Sequence, residues 1–132
     1  MNMSTDVTIA GTMDAVIEKV TTALKDQGFG ILTRVDVDKT FKAKLDLDFR
    51  PYVILGACNP VLAHQAISAR PDVGLMLPCN VVVEQVEPAA CLVRFIDPNA
   101  MMRFGDLGGD PVLAKVGAEA ASKITKAAAA LG

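Results

Sequence analysis

The stretch VVVEQVEPAACLVRFID, residues 81–97, decides the fold class. It contains two β-rich segments, 81–87 and 91–97, and only Pro88-Ala89-Ala90 separates them. Parallel neighbours need a crossover of a dozen or more residues, so these two strands can form only an antiparallel hairpin. A hairpin argues against a doubly wound parallel sheet, and the sequence contains no glycine-rich phosphate loop that would support one.

Strand and helix patterns alternate around this hairpin. Apolar residues recur at helical spacing from Met13 to Leu24, and Thr12 can cap that helix. YVILGAC, residues 52–58, is apolar on both faces, which is typical of an interior strand. Asx-Pro pairs place a cap and a first-turn proline at the starts of three helices. Those helices are predicted at 60–69, 97–102 and 111–131.

The predicted order of elements is β-α-β-(α)-β-α-β-β-α, with a short strand at Val7 and Ile9 and a short helix at 38–45. Residues 31–37 alternate, and we expect Ile31, Thr33, Val35 and Val37 to share one face of a half-buried strand. The chain is therefore predicted to be one α+β domain over residues 1–132. We expect this domain to have two layers, a mainly antiparallel sheet and helices on one of its faces.

Composition excludes several classes of function. The chain has 132 residues, 52 % of them apolar, which suits one folded domain. A net charge of −2, with no basic run, argues against nucleic acid or a membrane as partner. Three Cys is an odd number and no CxxC occurs, so we expect a reducing cytoplasm rather than a disulfide framework.

Two short motifs carry the candidate site, GACNP (56–60) and LPCN (77–80). Cys58 ends one predicted strand and Cys79 begins the next, so antiparallel pairing would place both thiols at one sheet edge. Cys58 also precedes a helix N-terminus, which is expected to lower the pKa of its thiol. Asn59 and Asn80 would add polar groups there. Cys91 alternates with Val93 and Phe95 and is expected to pack inside.

Other candidate residues are weaker. His64 is the only His, and with Cys58 and Cys79 it would complete a set of three metal ligands, although their spacing matches no standard zinc pattern. An exposed helical His is the alternative. Arg50 and Arg94 are predicted to be surface residues, and no nucleophile, phosphate or dinucleotide motif occurs.

The chain resembles the DUF302 family, a domain of unknown function. The resemblance rests on GFGILTRVDV, DFRPY, ILGACNPVLAHQAI, DVGLMLPCNVVV and IDPNAMM, which together extend over nearly the whole chain. It is closest to the branch of the family with Cys in both the GACNP and LPCNV motifs. The resemblance implies a curved antiparallel sheet similar to TBP-like domains and a homodimer. It implies no established reaction and no known cofactor.

Three functions remain open from the sequence. The first is a binding protein rather than an enzyme, which takes a small ligand or a metal between Cys58 and Cys79, with Asn59 and Asn80 as polar neighbours. The second is a redox or sulfur-transfer protein that uses the same two thiols. The third is a dimerisation module with buried cysteines, whose interface comes from Val81–Val83 and the Ala-rich C-terminal helix.

Overall fold

The computed structural model describes residues 2–132. It contains five strands and five α-helices, with short 3-10 turns at Pro71–Met76 and Gly105–Gly109. In chain order these are β1 Ser4–Ala10, α1 Met13–Asp26, β2 Gly30–Asp36, α2 Val37–Leu45, β3 Tyr52–Cys58, α3 Pro60–Ala69, β4 Cys79–Glu87, β5 Ala90–Ile96, α4 Pro98–Met102 and α5 Pro111–Leu131.

The strands form one sheet in the order β1-β5-β4-β3-β2, and every neighbouring pair is antiparallel. The predicted α+β class is confirmed, and so is the hairpin that decided it, because Val83 pairs with Val93 across β4 and β5. The sheet also joins the first strand to the last, since Val7 pairs with that same Val93. No parallel pair occurs among the described strands.

The predicted caps begin the helices. The Thr12 side chain accepts a hydrogen bond from the Ala15 amide at the start of α1. The Asn59 side chain accepts a hydrogen bond from the Leu62 amide at the start of α3, at 3.2 Å. These bonds satisfy backbone amides that the first helical turn otherwise leaves without a partner. Each joins residues three positions apart, so the local sequence is enough to predict the helix starts.

The core lies between the sheet and three helices. α5 contacts α1, α3 and β1, and α1 also contacts β4. Alternate strand residues point into this layer, and the fully buried members include Leu55, Val81, Val83, Val93 and Phe95. We call this side the inner face of the sheet and the opposite side the outer face. Because Val83 is a core residue, the predicted interface role of Val81–Val83 is wrong at positions 81 and 83.

One predicted alternation is also wrong. The β2–β3 register shifts between Ile31 and Thr33, which leaves Leu32 unpaired at a bulge. An extra residue reverses the side-chain faces beyond it. Ile31 therefore packs against the core, whereas Thr33 and Val35 lie opposite Gly56 and Ile54 on the outer face. Val37 begins α2 and does not belong to the strand.

Within residues 2–132, no helix combines the length and the apolar character that a membrane span requires.

Candidate functional site

The two thiols of the candidate site lie at adjacent strand ends, as predicted. Cys58 is the last residue of β3 and Cys79 the first of β4. Ala57 is the direct partner of Cys79 in the β3–β4 register, so Cys58 lies one residue diagonally across. Interstrand spacings of about 5 Å and a rise of about 3.4 Å per residue place their Cα atoms roughly 6 Å apart.

Both cysteines border the same small cavity of about 40 Å³. Its walls come from β3, β4, α3 and α5 and from the chain before β4. The remaining lining residues are Phe29, Ala57, Asn59, Leu62, Ala63, Leu77, Pro78 and Ala120. Asn59 is the only amide side chain among these lining residues, so the cavity is nearly apolar. Cys79 shares the inner face with its partner Ala57, whereas the alternation of β3 turns Cys58, which borders the cavity from the strand end, towards the opposite face.

Burial in this apolar setting determines the acidity of the thiols. Desolvation above all, and then the negative charge of an ionised Cys58, raise the pKa of Cys79 to about 11. Burial also raises the pKa of Cys58. The expectation of a lowered Cys58 pKa is therefore wrong, because burial against apolar walls disfavours the thiolate.

Asn59 fixes the local geometry instead of acting as a free polar group. Its Oδ1 caps α3, and its Nδ2 would lie 3.1 Å from a Cβ added at position 28. Gly28 has a φ of +84°, so the end of α1 needs glycine here both for backbone conformation and for space. Asn59 and Leu62 also border a separate surface groove of about 310 Å³ that includes Lys123.

Asn80 does not belong to the thiol site. Successive residues of a strand point to opposite faces, so Asn80 faces away when Cys79 faces inward. It pairs with Gly56, is exposed, and borders a groove on the outer face with Tyr52 and Val82. The predicted role of Asn80 beside the thiols is wrong for this reason.

His64 is not a third ligand. It is exposed on α3 and does not border the cavity, which the helix faces with Leu62 and Ala63. Each helical residue turns by about 100°, so position 64 points away. Among residues 2–132, no group of three or more His, Cys, Asp or Glu side chains could hold a metal ion. The predicted set of Cys58, His64 and Cys79 is not assembled.

Cys91 packs in the core, as its alternation with Val93 and Phe95 predicted. All three side chains are fully buried. Its sulfur lies 3.6 Å from the Met13 sulfur and 3.8 Å from the Gly11 carbonyl oxygen. It provides a buried thiol for comparison with the other two.

The sequence did not predict an ion triad on the outer face. Glu84 is only 5 % exposed, although no apolar pattern marks it as buried. Its carboxylate accepts hydrogen bonds from Arg50 Nε and, at 2.6 Å, from Arg94 Nη1. Arg94 above all, and then Arg50, hold the pKa of Glu84 below its usual range against desolvation. The sequence signal that could have predicted this triad was the presence of opposite charges, Glu84 and Arg94, on the two strands of the predicted hairpin.

The comparisons with known proteins agree with this description. The family described as "Domain of unknown function DUF302" matches residues 5–131. The crystal structure of an uncharacterized conserved DUF302 protein from Bacillus stearothermophilus is similar over the whole of both chains, with 28 % identity and a TM-score of 0.86. No curated protein matches the chain. Because the family match extends over nearly every residue, the chain belongs to the DUF302 family.

Proposed function

We propose that Cys58 and Cys79 bind one thiophilic metal ion, and that Cu(I) is the ion that fits best. The observation that supports this is a single cavity of about 40 Å³ bordered by both cysteines. Pockets for organic ligands are roughly 300–1,000 Å³, and one water occupies about 30 Å³ of liquid. A cavity of this size therefore suits one ion and not an organic molecule.

The ligand set favours Cu(I) over zinc. Structural zinc takes four ligands, and no third His, Cys, Asp or Glu lies with the two cysteines in residues 2–132. Thiolates select soft ions, and Cu(I) forms stable complexes with two of them. Apolar walls also suit the small net charge of a bis-thiolate Cu(I) centre.

The acidity of the thiols favours a metal over a nucleophilic role. A nucleophilic cysteine needs a lowered pKa, whereas burial raises the pKa of both cysteines. A bound metal replaces the thiol protons, so a high pKa in the free protein does not prevent ligation. The proposal requires reduced thiols and hence a reducing compartment such as the cytoplasm.

The test is an anaerobic Cu(I) titration of the full reduced chain against a chromophoric Cu(I) chelator. We expect one Cu(I) per chain, with only sulfur ligands in its X-ray absorption spectrum. Cys58→Ser and Cys79→Ser should each lower the affinity by at least 100-fold. Cys91→Ala is the matched control, because it removes a thiol that lies outside the cavity.

Two results would overturn the proposal. One is a wild-type protein that fails to compete with the chelator. The other is an equal loss of Cu(I) in the Cys91→Ala protein, which would mean that Cys91 contributes to binding as much as Cys58 and Cys79 do. Circular dichroism of each variant separates loss of ligation from loss of fold.

A reversible Cys58–Cys79 disulfide is the second candidate. Their diagonal relation across β3 and β4 places the Cα atoms at roughly 6 Å, within the range of about 4.4–6.8 Å that disulfides occupy. Because strand alternation points the two Cβ atoms to opposite faces, bond formation also requires the end of β3 to rotate. Oxidation would join the two sulfurs, with two electrons and two protons passing to an added diazene oxidant such as diamide. We expect a 2 Da loss and one cross-linked peptide pair. Recovery of only mixed or intermolecular disulfides would exclude this candidate.

A further inference from the structure

A groove of about 220 Å³ lies on the outer face of the sheet, and β1, β3, β4 and β5 all contribute to its walls. Val82 of β4 lies between the strands on either side, opposite Ile54 of β3 and Arg94 of β5. The groove shares no residue with the thiol cavity. A function of this groove is therefore separate from the proposed binding of Cu(I).

The lining of the groove combines apolar surface with groups that form hydrogen bonds. Met3 and Val82 are apolar, whereas Tyr52, Asn80 and Arg94 carry a hydroxyl, an amide and a guanidinium. Among the residues that the structure describes, Arg94 is the only charged side chain in this lining. Apolar walls with a few polar groups are typical of sites for small molecules.

Arg94 is held in position before any ligand arrives. Its Nη1 donates a hydrogen bond of 2.6 Å to the carboxylate of the buried Glu84. A guanidinium has five N–H donors, so a bond through Nη1 leaves others for a ligand. The Arg94 side chain is 37 % exposed, which keeps it accessible from the groove. A side chain that is already fixed loses little conformational freedom on binding.

The charges around the groove favour an anion. Glu84 bonds both Arg94 and Arg50, so these three residues carry one positive charge in excess. Asp6 lies opposite Arg94 in the β1–β5 register, but it is exposed, and its carboxylate accepts a hydrogen bond of 2.6 Å from Ser4. Neither Asp6 nor Glu84 borders the groove. A ligand there meets the cation, while solvent screens the charge of Asp6.

The volume and the shape of the donor group narrow the class of anion. Drug-sized ligands occupy roughly 300–1,000 Å³ and one water about 30 Å³, so a groove of about 220 Å³ suits a small organic molecule. The planar fork of a guanidinium matches the two oxygens of a carboxylate. The apolar surface of Val82 and Met3 suits a hydrocarbon group attached to that carboxylate.

We propose that this groove binds a small organic monocarboxylate, with the carboxylate on Arg94 and the hydrocarbon part against Val82. The Tyr52 hydroxyl and the Asn80 amide offer further hydrogen bonds, because both border the same groove. Glu84 is the positioning residue, since it holds Arg94 without bordering the groove itself.

The experiment is an amide NMR titration of the full reduced chain with sodium hexanoate as the probe. Hexanamide is the neutral analogue, and inorganic phosphate is the anion without a hydrocarbon group. We expect saturable shifts at Asn80, Val82 and Arg94, with a Kd of about 1 mM or tighter for hexanoate. Hexanamide and phosphate should each bind about 10-fold more weakly, because each lacks one of the two recognised groups.

Two variants test the two halves of the site. Arg94→Lys keeps a cation beside Glu84 but removes the fork, so we expect hexanoate to bind about 10-fold more weakly. Val82→Phe fills the groove without altering a charge, and we expect a loss of about 10-fold or more. Arg34→Lys is the matched control, because Arg34 also bonds a carboxylate, that of Asp36, but lies outside the groove.

Any of four results would overturn the proposal: no saturable shift with hexanoate, equal binding of hexanamide, unchanged binding in Val82→Phe, or an equal loss in Arg34→Lys and Arg94→Lys. The amide spectrum of each variant shows whether it is folded, and Val82→Phe tests the groove even if Arg94→Lys does not fold. Folded variants should still bind Cu(I), so failure of the groove and failure of the metal site are separate results.

Discussion

Cys79 and Glu84 lie on the same strand, β4, but on opposite faces of the sheet, and their acidity changes in opposite directions. Cys79 faces an apolar cavity, and burial raises its pKa to about 11. Glu84 is also buried, yet Arg94 and Arg50 lower its pKa. Desolvation raises the pKa of both acids, so the presence of a cationic partner, and not the depth of burial, decides the direction.

Removal of a partner of Glu84 should have the largest effect. Arg94→Ala leaves the buried carboxylate with Arg50 alone. We expect a loss of about 2–3 kcal/mol in the free energy of unfolding, below the roughly 3–5 kcal/mol of a fully broken buried pair because Arg50 remains. Urea denaturation at pH 7 and one protein concentration measures it.

The control is Arg34→Ala, which removes a pair on the surface. Arg34 bonds Asp36 at 2.8 Å, with the Arg34 side chain 44 % exposed. Exposed pairs contribute about 0–1 kcal/mol. Equal losses for both variants would show that Glu84 gains nothing from its burial between two arginines.

Stability of the metal-free reduced protein should fall at alkaline pH because of Cys79. The folded pKa of about 11 exceeds the ordinary thiol value of 9.0, so the protonated thiol favours the folded state. This contribution is complete below pH 9 and disappears as the pH rises from 9 to 11. Two pKa units correspond to about 2–3 kcal/mol. Unfolding free energies of wild type and Cys79→Ala should converge across that interval.

Glu84 should show the opposite dependence at acid pH. Its folded pKa lies below its ordinary value of 4.5, so its contribution is present above pH 4.5 and disappears as the pH falls through the folded pKa. Glu84→Gln should remove this acid-side dependence and leave the alkaline one. If Glu84→Gln and Cys79→Ala removed the same pH dependence of stability, the contrast between the two faces would be contradicted.

A methyl group at Gly56 should have an intermediate effect. A Cβ there would clash with Thr33 Oγ1 and lie 2.7 Å from Pro78 Cγ. Overpacking of this kind costs about 1–3 kcal/mol, so Gly56→Ala should lower the urea midpoint. Gly30→Ala is the matched control on β2, since nothing lies within 4 Å of its added Cβ. A loss confined to Gly56→Ala would show that the sheet is tightly packed beside the thiol site.

The smallest effect is expected from His64. It is exposed and lies outside the thiol cavity. His64→Ala should change stability by less than about 0.5 kcal/mol and the Cu(I) affinity by less than about twofold. A tenfold loss of affinity would add His64 to the ligand set and contradict a two-thiolate site.

The sequence predicted features that depend on neighbouring residues. The turn at Pro88 and Ala89, the cap at Asn59 and the full extent of α5 are all local, because each depends on hydrogen bonds or apolar spacing within a few residues. The proximity of Cys58 and Cys79 also followed from the chain, since antiparallel neighbours bring the end of one strand beside the start of the next.

Features that depend on distant residues were missed or predicted wrongly. The bulge at Leu32 reversed the faces of Thr33 and Val35, and one inserted residue has no clear sequence signal. The pairing of β1 with β5 joins residues that are 80 to 92 positions apart in the sequence, from Ala10 with Ala90 to Ser4 with Ile96. Asn80 was a different kind of error, because the alternation of β4 already placed it on the face opposite Cys79.

By itself, then, the sequence determined the fold class, the helix starts and the two thiols that meet at one sheet edge. Only the tertiary structure decided the acidity of those thiols and the charge pairing on the outer face of the sheet. Acidity depends on which walls and charges surround a group, and these come from β4, α3 and α5 together at Cys79 and from Arg50 and Arg94 at Glu84. Hydrogen bonds between near residues can be deduced along the chain, whereas desolvation exists only after the chain has packed.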